Sequence, residues 1–441
     1  MTTEIVVLNR LGVALATDSA VTISDGDRTK IFNTADKLFE LSPVHPVGIM
    51  VNGNMDCMGV PWEIIIKDFR EQCGRSQRRN SREWLEAFLK FVETYPTLNK
   101  SIADRNRLNQ ILNICNQVKD RFLDKILETS RKSGRLDKSM LVEDLLLSVI
   151  DTISKHYDSL HRADSLSDIT ADEVCEIYQG LYERVIPRIF ERRLSEEEYN
   201  ALISLITKGI MSTSFSDYSS GIVVAGYGSD SVFPSVASVE VDGLIKERLK
   251  YTTINTEDEN NAGDIGRVFS FAQTDVTERL LGGADPEFIE RTADYIEKSF
   301  RTLASDIEQK FRPRRVRESE DRTRSKIIAA AAKAVADEYL QKTSQELKKQ
   351  LTIEFDRMIA LMPKQEIIDL AEALVSITAA ERKATSDEGT VGGPVDVALI
   401  TKHEGFVWIK RKYYFDGHLN PRYFWRRYDP AAAAQAHEGQ S

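Results

Sequence analysis

The chain has 441 residues, 41% of them hydrophobic and 29% charged, with a formal net charge of −10 at pH 7. That length and apolar content suit about two or three average domains with a large core, and the acidic balance disfavours nonspecific nucleic-acid binding as the main function. Cys57, Cys73, Cys115 and Cys175 show no CxxC pair or metal-ligand spacing, and the histidines form no HExxH-type pattern. No metal or cofactor is therefore expected, and the cysteines read as reduced thiols of a cytoplasmic protein. No signal peptide and no membrane-spanning apolar run is visible, so no membrane partner is expected.

The N-terminal stretch TTEIVVLNRLGVALATDSAVT opens with two apolar runs, IVVL and GVALAT, separated by Asn9-Arg10-Leu11-Gly12. This reads as a strand, a tight turn and a strand. Both runs are apolar on successive residues, which predicts strands covered on both faces. A strand that begins so early holds the first residues in place, although chain termini ordinarily fray. Removal of Met1 would make Thr2 the N-terminus. A threonine with a free α-amine carries its nucleophile and its base together, because the hydroxyl attacks while the amine, of unperturbed pKa about 7.7–8.0, accepts the proton. A nearby lysine favours the neutral amine and an aspartate holds that lysine. Asp18 and Lys37 are available within the stretch.

These residues resemble the opening of proteasome β subunits and their bacterial relatives, members of the N-terminal-nucleophile hydrolases. The resemblance continues through ADKLFEL, similar to that family's lysine-containing strand, and GIMVNGNMDC, similar to its glycine-rich strand end. It implies Thr2 as nucleophile, Asp18 as the buried aspartate, Lys37 as the catalytic lysine and Thr22 as the substrate-aligning threonine. It places the oxyanion donor at Asn52, next to Gly53, where the family has a glycine. Ala20 stands where the family commonly has an arginine, and extra residues around Ser24 to Arg28 lengthen the path to Lys37. Lys30 is a rival for the lysine role, with the KLFEL context favouring Lys37.

From Cys57 to Ser219 the pattern turns helical, as in REWLEAFLKFVETY and LNQILNICNQVKDRFLDKILETS. Strands return at 221–243, with a turn signal at Gly228-Ser229-Asp230. This hairpin, with its AGY, also resembles the family, and the resemblance implies that its second strand ends in a turn at Asp242-Gly243. Residues 250–285 read as a polar loop and a short helix. Here Ser270 and Thr274 are the candidates for the serine that supports the family's nucleophile. A second helical expansion runs from Pro286 to Leu361. The helix KQEIIDLAEALVSITAAERKA, the turn Val391-Gly392-Gly393 and a hairpin around His403-Glu404-Gly405 resemble the family's ending. Val391 replaces the family's supporting serine, and its aspartate aligns with Glu388 or Asp387. The glycine pair itself reads as structural.

The expected fold is α+β, a four-layer α-β-β-α sandwich of the N-terminal-nucleophile type with two helical insertions. Core pieces are assigned to 2–72, 219–282 and 363–411, insertions to 73–218 and 283–362, and a C-terminal tail to 412–441. The expected activity is peptide-bond hydrolysis by a threonine peptidase. A small-molecule amidase and a non-catalytic, proteasome-like structural subunit remain as alternatives. Expected partners are a peptide or protein substrate and further copies of the chain, while an unfoldase partner stays open.

Overall fold

A computed structural model describes residues 2–25, 28–96, 100–133, 140–257, 266–282, 286–310, 318–385 and 392–421. The chain is mixed α+β, and its strand pairs are antiparallel. The first run forms β1 (Thr3–Asn9) and the second β2 (Gly12–Thr17), and every residue of both is buried. The continuous apolar pattern is explained by what covers each face. Val6 and Leu8 of β1 point into one cluster, whereas Ile5 and Val7 point into another, as the period of two requires.

β3 (Val21–Asp25) and β4 (Arg28–Phe32) form a separate hairpin. The extra residues between Asp18 and Lys37 are spent on this hairpin. Next come β5 (Leu38–Glu40) and β6 (Val47–Gly53), then the two-residue strands β7 (Asp56–Cys57) and β8 (Val60–Pro61). Helices α1 (Trp62–Cys73) and α2 (Ser81–Glu93) follow, then α3 (Lys100–Ser133), α4 (Met140–Ser159), α5 (Ala171–Phe190) and α6 (Glu196–Met211). Thr170 with Glu173, and Ser195 with Glu198, form capping boxes that start α5 and α6, each satisfying otherwise unpaired N–H groups.

β9 (Ser220–Gly226), β10 (Ser235–Ile245) and β11 (Arg248–Glu257) make a meander. The turn expected at Asp242-Gly243 is instead an irregularity inside β10, where the register shifts between Val241 and Leu244. The chain reverses at Lys246 and Glu247, both at positive φ, 50° and 63°. Within the stretch 250–285, expected as a polar loop and a short helix, β11 and β12 (Arg267–Ala272) are strands, the helix is present at Asp275–Gly282, and residues 258–265 lie outside the described residues. Both strands are edge strands, one in each large sheet. Polar residues such as those of YTTINTE are tolerated on an edge and read locally as loop.

Helices α7 (Asp275–Gly282), α8 (Pro286–Lys310), α9 (Glu318–Glu338), α10 (Gln345–Leu361) and α11 (Lys364–Thr385) precede the final hairpin, β13 (Asp396–Thr401) and β14 (Gly405–Lys410). One five-stranded sheet has the order β12-β1-β2-β13-β14 and the other β11-β10-β9-β6-β5. Val6, Leu8, Val13 and Leu15 of the first sheet share a buried cluster with Met50, Val223 and Val236 of the second, so the sheets face each other. The outer face of the first sheet packs on α11 through Ile367, Ala371 and Val375. The outer face of the second packs on α1 and α2 through Ile65, Trp84 and Phe88. Helices α3–α6 bury a cluster of their own, joined to β10 by Ile245. No helix among the described residues is long and apolar enough to cross a membrane.

The β9–β10 connection closes against the loop ahead of α2, where Ser229 N–H donates to the Arg78 carbonyl at 2.8 Å. A Cβ on Gly228 would sit 1.6 Å from the Arg79 carbonyl oxygen. Backbone cannot yield there as a flexible side chain would, so Gly228→Ala is expected to lower stability by about 1–3 kcal/mol in urea unfolding. A loss under a few tenths would show that the two loops separate freely.

Candidate active site

Asp18 follows the last residue of β2, and Lys37 immediately precedes β5. One residue therefore comes from each sheet, beside Thr2, which leads into β1. All three are buried. The Lys37 carbonyl accepts from Val51 N–H at 3.0 Å, which ties the lysine backbone to β6. Its Nζ lies 2.9 Å from Thr2 Oγ1, 2.8 Å from Asp18 Oδ1 and 2.5 Å from the Ala20 carbonyl oxygen.

Those three partners match the three N–H bonds of an ammonium. The Asp18 carboxylate and the Ala20 carbonyl only accept, so two N–H bonds are committed to them. The third position faces the Thr2 hydroxyl, which either accepts a proton from Lys37 or donates its own to a neutral amine. Burial pushes the Lys37 ammonium below the ordinary lysine range, while Asp18 opposes that fall and the protein favours whichever form the balance of the two leaves. In its neutral form the Lys37 amine could accept the hydroxyl proton, whereas in its ammonium form it only donates to Thr2 Oγ1.

Asp18 is held as firmly as it holds. Its Oδ1 also accepts from Thr3 N–H at 3.1 Å, and its Oδ2 accepts from Ala20 N–H at 3.2 Å and Gly392 N–H at 3.1 Å. Ser19 completes the attachment, donating its N–H to the Gly392 carbonyl at 3.1 Å and its hydroxyl to the Pro394 carbonyl at 2.6 Å. The glycine turn ahead of β13 thus holds Asp18 and Ser19 and places the C-terminal hairpin against them. Lys412, just past β14, pairs with Asp36 at 3.2 Å and also with Asp396.

Asn52 and Gly53 end β6, opposite Gly221 and Ser220 of β9. The Asn52 side chain turns into the space between the sheets and donates from Nδ2 to Glu4 Oε2 at 2.8 Å. A Cβ on Gly221 would meet Asn52 Oδ1 at 2.4 Å, so the glycine makes room for this amide. Thr22 is half-buried in β3, two residues beyond the carbonyl that receives Lys37. Lys30 is exposed on β4, with Nζ 4.8 Å from the Phe32 ring centroid.

Ser270 pairs with Ile5 across β12 and β1. Ile5 belongs to the cluster under α11 rather than to the layer between the sheets. Thr274 lies half-buried between β12 and α7. Met1, Asp387, Glu388 and Val391 fall outside the described residues.

Sequence reasoning missed Glu4, Ser19 and Lys412. Glu4 left a signal, since an acid inside a run buried on both faces is costly unless it is paired. Ser19 and Lys412 left none, because their partners lie far along the chain. A cavity of about 570 Å³ lies elsewhere, among α4, α5 and α6, and is lined in part by His161, Cys175, Thr207 and Lys208. Among the described residues no group of three or more His, Cys, Asp or Glu is placed to hold a metal. No protein-family model matches the chain, and no curated protein matches it either.

Proposed function

We propose that this chain is an N-terminal threonine hydrolase that cleaves peptide bonds, with a proteasome-like α-β-β-α core and Thr2 exposed by removal of Met1. The observation that carries the reading is the single lysine nitrogen bridging the Thr2 hydroxyl and the Asp18 carboxylate. Two facing sheets flanked by helices support the fold part of the reading. The Thr2 hydroxyl attacks the substrate carbonyl carbon, and its proton passes to Lys37 or to the freed α-amine. The C–N bond breaks as the leaving amine takes up that proton. Water then hydrolyses the ester formed on Thr2. Backbone N–H groups at Asn52 and Gly53 are the oxyanion donors in this scheme. The setting is cytoplasmic, with self-association of the chain.

A second reading is a subunit that keeps Met1 and has no activity, favoured by the burial of Thr2, which is 3% exposed. Intact mass separates the two after exposure to a peptide epoxyketone, a reagent that needs a free threonine amine and its hydroxyl. Loss of Met1 with one adduct, absent from Thr2→Ala, is the expected result. Retained Met1 without an adduct overturns the hydrolase reading. Processing without an adduct directs the search to small amides.

A further inference from the structure

Glu4 is fully buried on β1, two residues beyond Thr2, and shares its face with Val6 and Leu8 between the sheets. Its Oε2 accepts from Asn52 Nδ2, and its Oε1 is buried with no partner among the described residues. The charged groups that act on it are Lys37, ahead of β5, and Asp18, after β2. Its neighbours across the strands, Thr17 of β2 and Phe271 of β12, bring no charge, and β6 brings the Asn52 amide. Lys412 acts on Lys37 from beyond β14, and the Thr2 α-amine joins the group once it is free.

Lys37 has no N–H left for Glu4, because Asp18, Ala20 and Thr2 take all three. A carboxylate at position 4 would leave one charged oxygen buried without a donor, which a neutral acid avoids. Burial accordingly pushes the Glu4 carboxyl up to about 8, against smaller opposing effects of Asn52 and Lys37.

We propose that Glu4 is a positioning residue of the threonine site: as a neutral acid it anchors Asn52 at the end of β6 and lets Lys37 lose its proton, and as a carboxylate it locks Lys37 in the ammonium form. The proposal depends on the threonine-hydrolase reading above. With Glu4 neutral, the Asp18 carboxylate and the Lys37 ammonium sum to zero charge. Ionised Glu4 adds a second negative charge beside one cation, and an ammonium cannot accept the hydroxyl proton of Thr2.

The test follows the rate of epoxyketone adduct formation by intact mass from pH 6 to pH 9.5, in the full-length wild type, Glu4→Gln, Asn52→Ala and Thr2→Ala. The wild-type rate is expected to fall about tenfold per pH unit above about pH 8. Glu4→Gln, which cannot ionise, is expected to hold its pH 7 rate within about threefold. Asn52→Ala removes a hydrogen bond that favours the carboxylate, so its alkaline fall moves to higher pH. Thermal unfolding confirms that Glu4→Gln is folded and gives an independent reading. A carboxyl raised from 4.5 to about 8 contributes stability below the lower value that is lost as pH rises to the upper one. Glu4→Gln should therefore gain in Tm on the wild type between pH 5 and pH 8. A folded Glu4→Gln with the wild-type alkaline fall overturns the proposal and leaves the threonine reading intact. A wild type that retains Met1 and forms no adduct at any pH overturns that reading, and the role of Glu4 with it.

Discussion

Lys37→Met is expected to slow epoxyketone adduct formation by about 10²–10⁴ fold, the usual contribution of a positioned general base. Methionine keeps the length and apolar body of the lysine, so the buried channel from β5 to Thr2 stays filled. What is lost is the nitrogen 2.9 Å from the Thr2 hydroxyl. Lys37→Arg separates charge from basicity. A guanidinium keeps a positive charge beside Asp18 but does not release a proton, so it too is expected to be inactive. The assay is the single-turnover rate by intact mass, at a pH below the alkaline fall expected from Glu4. A Lys37→Met protein that reacts at the wild-type rate would leave the α-amine as the only base and remove Lys37 from the chemistry.

Asp18→Asn should produce the largest loss of stability, about 3–5 kcal/mol in urea unfolding, because it leaves a buried lysine without its counter-charge. Both residues are completely buried, so water does not replace the missing partner. The amide also cannot accept at both atoms. Whichever atom becomes NH₂ faces either Thr3 N–H and Lys37 or the Ala20 and Gly392 N–H groups, and leaves two donors opposed. Adduct formation should disappear with it. Combining Asp18→Asn with Lys37→Met removes both charges, so the double variant is expected to be more stable than Asp18→Asn alone. Additive losses would mean that the pair does not interact, contrary to the 2.8 Å contact.

Much of the candidate site could be read along the chain because its parts fall within a short span. Thr2, Asp18 and Lys37 lie on or beside the first strands, and the apolar runs that flank them point to strands buried on both faces. The residue patterns also marked the helices around Trp84 and Leu374 and the final hairpin at His403. After Lys250 the short helix at Asp275–Gly282 follows the sequence pattern, whereas Arg267–Ala272 does not, since β12 becomes a strand only by pairing with β1, more than 250 residues earlier. The turn that the family resemblance implies at Asp242-Gly243 is absorbed into β10, because the pairing with β11 continues past it.

The sequence by itself determined the candidate residues, Thr2 near the start of the chain with a lysine and an aspartate close by, and most of the strands and helices, with β12 the exception. Only the tertiary structure decided that the three meet, that Lys37 rather than Lys30 reaches Thr2, and that Gly392 closes on Asp18 from the far end of the chain. It also decided that Glu4, within an otherwise apolar run, faces Asn52 rather than water. The physical reason is common to all of these. Strand periodicity assigns a side chain to a face, but the charge and hydrogen-bond partners on that face come from segments that are neighbours only after the sheets have packed.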